Sequence, residues 1–132
     1  MISELIKVQT GSHSEFNDIT GKIESFINKH SFKEGLCHVY IPHTTCGVTI
    51  NENADPDVKK DMLMELGKLV PLSDGYRHME GNSAAHIKSS LMGFSLSVPV
   101  LDGHLLLGTW QGIYLCEFDG PRNRTVRVSF RI

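Results

Sequence analysis

Residues 94–132 read FSLSVPVLDGHLLLGTWQGIYLCEFDGPRNRTVRVSFRI, and this stretch decides the fold. Much of it alternates between apolar and polar residues, as in strands that bury one face. In the last run, Val126, Val128, Phe130 and Ile132 alternate with Arg127, Ser129 and Arg131. Asp102-Gly103 is a typical type I′ hairpin pair. The stretch therefore predicts consecutive antiparallel strands.

Three helices are predicted upstream of these strands. The first spans residues 18–30 with Asp18 as its N-cap, and Ile19, Ile23, Phe26 and Ile27 form its apolar face. The second begins after Asp55 with Pro56 and continues to Val70, with an apolar face of Val58, Met62, Leu66 and Leu69. The third runs from Asn82 or Ser83 to Gly93.

Further strands are predicted over residues 2–9 and on both sides of residues 42–47, which gives about six strands. Helices and strands do not alternate regularly, so the fold class is α+β with mainly antiparallel sheets. A length of 132 residues corresponds to a single compact domain, residues 1–132.

Composition excludes several classes of protein. A net charge of −2 argues against a general nucleic-acid binder. No run approaches the roughly 18 apolar residues of a membrane span, and the start does not resemble a signal peptide, so we expect a cytoplasmic protein. Three widely spaced cysteines indicate neither a disulfide framework nor a cysteine-rich zinc site.

Chemically rich residues concentrate in two segments, HTTCGVTINENADPDV at 43–58 and YRHMEGNSAAHIKSS at 76–90. Imidazoles from two segments suit an open site for Zn²⁺ or a similar divalent ion, and we assign it to His43, His78 and His86. The alternative is that these are ordinary surface histidines, since their spacing matches no specific zinc signature.

Other residues in these segments have a structural and a functional interpretation. Cys46 near His43 suggests a nucleophile, although a packing role at a strand start is favoured. Asp55 and Asp57 are explained by helix capping, whereas Glu52 is not and could help to bind Mg²⁺.

The third candidate region surrounds Trp110 and the final arginines. Gly108 and Gly112 suggest a bulge or a close backbone approach. Trp110 is interpreted as a packing or interface anchor. Arg122 and Arg124 are assigned to phosphate binding, because guanidinium groups match phosphate geometry.

Taken in order, HTTCGVTINENADPDV, RHMEGNSAAHIKSSLMG and GTWQGIYLCEFDGPRNRTV resemble the YjbQ-like family, often called secondary thiamine-phosphate synthase. The resemblance covers nearly the whole chain. It implies a compact α+β domain that assembles as a homotrimer, with a site near the histidine segments and close to a subunit boundary. It also implies a weak activity that joins a pyrimidine methyl diphosphate to a thiazole phosphate with loss of diphosphate.

The chemistry of the individual residues and the resemblance to the family together define the expected site. The catalytic residues are Glu52, His78 and His86. The metal ligands are His43, His78 and His86. The ligand- or phosphate-binding residues are Asn53, Lys88, Ser89, Arg122 and Arg124.

The expected partners are the chain itself and a small phosphorylated molecule, without nucleic acid or membrane. Two other functions stay open. One is a non-catalytic trimeric protein that binds metal or phosphate, and the other is a metal-dependent hydrolase with Glu52 or Glu80 as its base.

Overall fold

The computed structural model describes all residues 1–132 and contains eight strands and three helices. In chain order the elements are β1 (Ile2–Gln9), β2 (Glu15–Asp18), α1 (Thr20–Lys29), β3 (Gly35–Tyr40), β4 (Cys46–Glu52), α2 (Pro56–Leu69), α3 (Ser83–Met92), β5 (Ser95–Leu101), β6 (His104–Leu105), β7 (Gln111–Glu117) and β8 (Asn123–Arg131). The single α+β domain with three helices is thus confirmed.

The strands form two antiparallel sheets. The larger has the order β1-β8-β3-β5-β6, and the smaller has the order β2-β7-β4. Strand β8 lies between β1 and β3, with Val128 opposite both Glu4 and Val39. Strand β7 is the centre of the smaller sheet, with Cys116 opposite both Phe16 and Gly47.

Strand β7 separates two hydrophobic cores. Ile113 and Leu115 belong to the main core, with residues of α1, β4 and the larger sheet. Tyr114, Cys116 and Phe118 face the other way into a smaller core with Leu66 of α2 and Ala85 of α3. Successive side chains of a strand point to opposite faces, so an almost continuous apolar run suits this central position.

Several local predictions are confirmed. Asp55 caps α2, and its Oδ1 accepts a hydrogen bond from Asp57 N at 2.9 Å. Ile19, Ile23, Phe26 and Ile27 are all buried. Asp102 and Gly103 both have positive φ, 51° and 80°, as a type I′ turn requires.

Other predictions are wrong. No strand is predicted immediately before α1, yet β2 forms there because its backbone pairs with β7 although its sequence is polar. Ile19 and not Asp18 occupies the N-cap position of α1, while Asp18 Oδ1 accepts a hydrogen bond from Thr20 N. Ile132 lies beyond β8 and is fully exposed. On α2 only Leu66 is buried.

Close packing between β4 and α3 positions the candidate site. A Cβ atom on Gly47 would lie 2.7 Å from Gly93 O and 2.9 Å from Met92 Cβ. Val48 N also donates to Gly93 O at 3.1 Å. Only glycine permits this approach, which fixes α3 beside the loop that leads into β4.

The longest helix, α2, has 14 residues. None of the three helices combines the length and apolar character needed to cross a bilayer.

Candidate functional site

A polar cleft of about 470 Å³ lies where the β3–β4 loop, the start of α3 and the start of β8 meet. Nine of its ten lining residues are polar. The lining consists of Pro42, His43, Thr44, Thr45, His78, Glu80, Asn82, His86, Arg122 and Arg124. The structure therefore brings together the three histidines and the two arginines that the sequence singled out.

A buried ion pair lies beneath the cleft. Arg124 is 3 % exposed and Glu117 is 0 % exposed. The guanidinium donates to both carboxylate oxygens, with Nε 2.9 Å from Oε1 and Nη2 bonded to Oε2. Arg124 Nη2 also donates to Thr45 Oγ1 at 2.8 Å, and Thr10 Oγ1 donates to Glu117 Oε1 at 2.8 Å. Such bidentate pairs are among the strongest hydrogen bonds in proteins.

Both members of this pair are charged. Burial alone would raise the pKa of Glu117, but hydrogen bonds from Arg124, Thr10 and the Asp119 backbone outweigh it and lower that pKa. Burial alone would lower the pKa of Arg124, but the bond to Glu117 raises it. Arg124 Nη1 has no hydrogen-bond partner in the chain, so it is free to bind an anion in the cleft.

A second network connects the β7–β8 turn with α3. Arg122 donates from Nε to Asp119 O at 2.8 Å and from Nη2 to Asp119 Oδ2 at 2.9 Å. Asn82 Nδ2 donates to the same Oδ2, also at 2.9 Å. Asp119 thereby holds both an arginine and the residue at the start of α3 at the cleft.

His43 is anchored to the first part of β8. Its Nε2 lies 3.0 Å from Thr125 N and 3.1 Å from Thr125 O. This leaves Nδ1 as the ring nitrogen without a protein partner. Burial, with a smaller contribution from the positive charge of Arg124, lowers the pKa of His43. The neutral imidazole is therefore favoured, and a neutral ring nitrogen can bind a metal or a proton donor.

His78 and His86 lie close together. Their ring centroids are 5.6 Å apart and their planes are perpendicular. His78 Nε2 is 3.8 Å from Glu80 Oε2, on the exposed segment that precedes α3. His86 lies one turn into α3, and the Gly47 contact fixes the position of that helix.

The nitrogen donors in the cleft suit Zn²⁺ chemically, but they are not gathered into a ligand set. No group of three or more His, Cys, Asp or Glu side chains in the chain is placed to hold a metal ion. The assignment of His43, His78 and His86 as metal ligands therefore stays a prediction. It would require these side chains to move closer together or a further ligand to complete the site.

Glu52 and Asn53 do not reach this cleft within one chain. Glu52 is the last residue of β4 and Asn53 follows it, at the end of the strand opposite Cys46, and a strand of this length spans about 20 Å. Glu52 Oε2 accepts from Ala54 N, and Glu52 O accepts from the Tyr114 hydroxyl. Asn53 Nδ2 donates to Gln111 O. A role for these residues in the cleft would require a second chain.

Lys88 and Ser89 are also outside the cleft lining. Ser89 is buried and its hydroxyl donates to Ala85 O within α3. Lys88 is buried, with Nζ 5.8 Å from the centroid of the Phe118 ring, and burial lowers its pKa. These contacts belong to the packing of α3 and show no phosphate-binding arrangement.

The cysteines are packing residues. Cys37, Cys46 and Cys116 are free and buried. Burial raises the pKa of Cys46 to about 12 and that of Cys37 to about 11, so both remain thiols at neutral pH. The favoured packing interpretation of Cys46 agrees with its place in the main core.

Asn82, Glu117 and Asp119 are not among the predicted site residues, and Thr45 enters the prediction only as part of the segment 43–58. Glu117 had a usable signal, because it is a single carboxylate in the apolar run IYLCEF. A charge in such a run is buried and needs a partner. Asn82 and Asp119 had no such signal, since asparagine and aspartate are common in turns.

The chain is similar in sequence to proteins of two distant lineages. It is 54 % identical over 125 residues to UPF0047 protein YugU of Bacillus subtilis, which covers 94 % of this chain and 95 % of YugU. It is 52 % identical over 123 residues to UPF0047 protein MJ1081 of Methanocaldococcus jannaschii, with 93 % and 89 % covered.

Solved structures show the same fold. A conserved YjbQ/UPF0047 protein of Clostridium acetobutylicum matches with a TM-score of 0.95 at 48 % identity, covering 97 % of this chain and 99 % of that one. A hypothetical protein of Aeropyrum pernix matches with a TM-score of 0.94 at 35 % identity, covering 99 % and 98 %. The model of the family "UPF0047 protein YjbQ-like" matches residues 4–131. The chain therefore belongs to the YjbQ-like UPF0047 family.

Proposed function

We propose that the cleft binds a small phosphorylated molecule and that the protein transfers an organic group from a diphosphate, as a thiamine-phosphate synthase does. The observation that carries the proposal is the cleft lining, in which two guanidinium groups and three imidazoles meet and Pro42 is the only apolar residue. A cleft of this composition suits a highly polar, anionic ligand.

The two arginines supply the anion-binding groups. Arg122 and Arg124 each use Nε and Nη2 to bind a carboxylate or backbone oxygen and each keep Nη1 without a protein partner. Asp119 and Glu117 hold the two planar groups in position. Such preorganised donors stabilise negative charge that develops on a leaving group without reorganising during the reaction.

The transfer chemistry follows from the resemblance to the thiamine-phosphate synthases. The bond between the pyrimidine methyl carbon and the diphosphate oxygen breaks, a bond from that carbon to the thiazole nitrogen forms, and diphosphate leaves. In this proposal the arginines bind the diphosphate, and His78 and His86 supply protons to its oxygens. A divalent ion that enters with the diphosphate would neutralise further charge.

The test is a direct assay. Purified protein is incubated with the pyrimidine diphosphate, the thiazole phosphate and Mg²⁺, and thiamine phosphate is measured. We expect product, and a rate at least tenfold lower for His78→Ala and His86→Ala. His104→Ala, on the short strand β6 outside the cleft, is the matched control and should keep the rate. No product with any divalent metal would refute the transferase assignment.

A second candidate is a binding protein without turnover. The observation that favours it is the shortage of free carboxylates: Glu117 and Asp119 are engaged by arginines, and Glu80 is the one carboxylate in the lining. Binding of inorganic phosphate, followed by calorimetry, together with no turnover of phosphate esters or diphosphates would support it. Measurable turnover would exclude it.

A metal-dependent hydrolase is a third candidate and predicts phosphate-ester hydrolysis that a chelator abolishes. Its support is the presence of three imidazoles and Glu80 in one cleft. Hydrolysis that persists in the chelator would refute it.

A further inference from the structure

Asn82, a residue that lines the cleft, has an unsatisfied acceptor atom. Its Oδ1 atom is buried and has no hydrogen-bond partner, and it is the only such side-chain atom in the chain. Buried polar atoms are nearly always paired, so an isolated exception calls for an explanation. Asn82 lines the cleft, which makes a ligand a natural source of the missing donor.

The orientation of this amide is fixed by its surroundings. Asn82 Nδ2 donates to Asp119 Oδ2 at 2.9 Å, and Arg122 Nη2 donates to the same oxygen at 2.9 Å. Reversing the amide would set Asn82 Oδ1 against a carboxylate oxygen, and neither atom can donate. The oxygen must therefore face away from Asp119.

The amide also does not perform the usual task of an asparagine at this position. Asn82 occupies the N-cap of α3, where its side-chain oxygen would normally accept from an amide of the first helical turn. Here there is no side-chain cap, and the backbone has φ −118° and ψ 24°. The bond to Asp119 holds the side chain away from the helix, so helix capping does not explain the residue.

We propose that Asn82 Oδ1 accepts a hydrogen bond from the bound molecule and so selects ligands that carry an N–H or O–H donor close to their phosphate. This inference rests on the proposed phosphate site. Arg122 would bind the phosphate through Nη1, and the shared Asp119 couples its position to that of Asn82. The substrate class is then a phosphorylated amine or alcohol.

The test compares three small phosphate monoesters of similar size by calorimetry with the whole protein. O-Phosphoethanolamine and 2-hydroxyethyl phosphate each carry a donor two carbons from the phosphate ester oxygen, and ethyl phosphate lacks it. We expect at least one of the first two to bind the wild type fivefold or more tightly than ethyl phosphate. In Asn82→Ala this preference, taken as the ratio of the affinities for the donor-bearing esters to that for ethyl phosphate, should disappear.

Each failure has a different meaning. Equal binding of all three esters by the wild type would overturn the role of Asn82 and leave the phosphate site intact. A preference that persists in Asn82→Ala would also overturn it. Absence of binding by all three esters would overturn the phosphate site and this inference together. If Asn82→Ala does not fold, the same comparison is made with Asn82→Ser.

Discussion

Glu117 and Arg124 are the residues whose environment differs most from what their side chains prefer. Both are almost fully buried and each is the other's main partner. Removing one member leaves the other charge buried without compensation, which typically costs about 3–5 kcal/mol. We therefore expect Glu117→Gln to lower the free energy of unfolding by about that amount.

Urea denaturation at pH 7 measures this loss. Lys60→Gln is the control, because Lys60 and Asp57 form a pair on the surface of α2 with both side chains 77 % exposed. Its expected effect is about 0–1 kcal/mol. Similar losses for the two variants would contradict a special role for the buried pair.

His43 makes stability depend on pH. Its pKa in the folded chain lies below the ordinary value of 6.5, so the unfolded chain takes up a proton more readily. The contribution of His43 is therefore complete above pH 6.5 and is lost as the pH falls from 6.5 through the folded pKa. We expect the wild type to lose more stability than His43→Gln over this interval.

Denaturation curves at several pH values between 8 and 5 provide the comparison. Parallel losses in wild type and His43→Gln would show that other groups cause the dependence. Glu117 acts at lower pH, since its folded pKa lies below its ordinary value and its stabilisation is lost as the pH falls below about 4.5.

Among the individual residues of the cleft, the sequence indicated the histidines and arginines. It did not indicate the residues that hold them in position. Histidines and arginines stand out because they are few and chemically distinctive, and five of those proposed line the cleft. Asn82 and Asp119 act through contacts between the β7–β8 turn and α3. Those contacts join positions 37 residues apart, which periodicity in the chain does not reveal.

Among the elements, α3 is the one whose placement matters most for the cleft. An added methyl group at Gly47 would collide with Gly93 O and Met92 Cβ. We expect Gly47→Ala to push α3 off β4, to lower stability by about 1–3 kcal/mol and to weaken phosphate binding, because His86 and Asn82 move with the helix. Thermal unfolding and calorimetry with ethyl phosphate measure the two effects.

Gly67→Ala is the control, and its expected effect on stability is opposite to that of Gly47→Ala. Gly67 lies inside α2, and an added Cβ would meet nothing within 4 Å. Alanine there should stabilise the chain by about 0.5–1 kcal/mol through helix propensity, without changing binding. A Gly47→Ala protein with wild-type stability and affinity would contradict the packing argument.

Elements with strong local signals were predicted well, and those set by tertiary pairing were not. The proline and aspartate at the start of α2 specify its first turn, and the hairpin at Asp102 and Gly103 has the positive φ angles that its residues favour. Strand β2 has a polar sequence, EFND, and exists because β7 offers it a partner. Whether such a strand forms depends on its tertiary contacts and not on its own sequence.

Some features of the whole molecule are not explained by a single chain. Trp110 is 64 % exposed, and Glu52 and Asn53 lie far from the cleft along β4. We propose that copies of the chain assemble as a homotrimer, as the resemblance implies, and that Trp110 lies near the contact. Multi-angle light scattering should give about three times the monomer mass of 14.7 kDa.

Trp110→Ser should lower that mass at the same micromolar concentration, because an exposed indole is a large contact area for a partner. Leu69→Ser, at another exposed apolar position on α2, is the control and should keep the mass of the wild type. A monomeric wild type would refute the assembly and with it any contribution of Glu52 to the cleft of a neighbouring copy.

The place of β8 in the larger sheet has a consequence for synthesis of the chain. Strand β8 joins β1 to β3, yet it is the last of the eight strands to leave the ribosome. Until residues 123–131 emerge, β1 has no partner in the sheet and one edge of β3 is unpaired. The nascent chain therefore keeps a strand edge unpaired until β8 emerges, a stage at which edge-to-edge association between chains competes with folding.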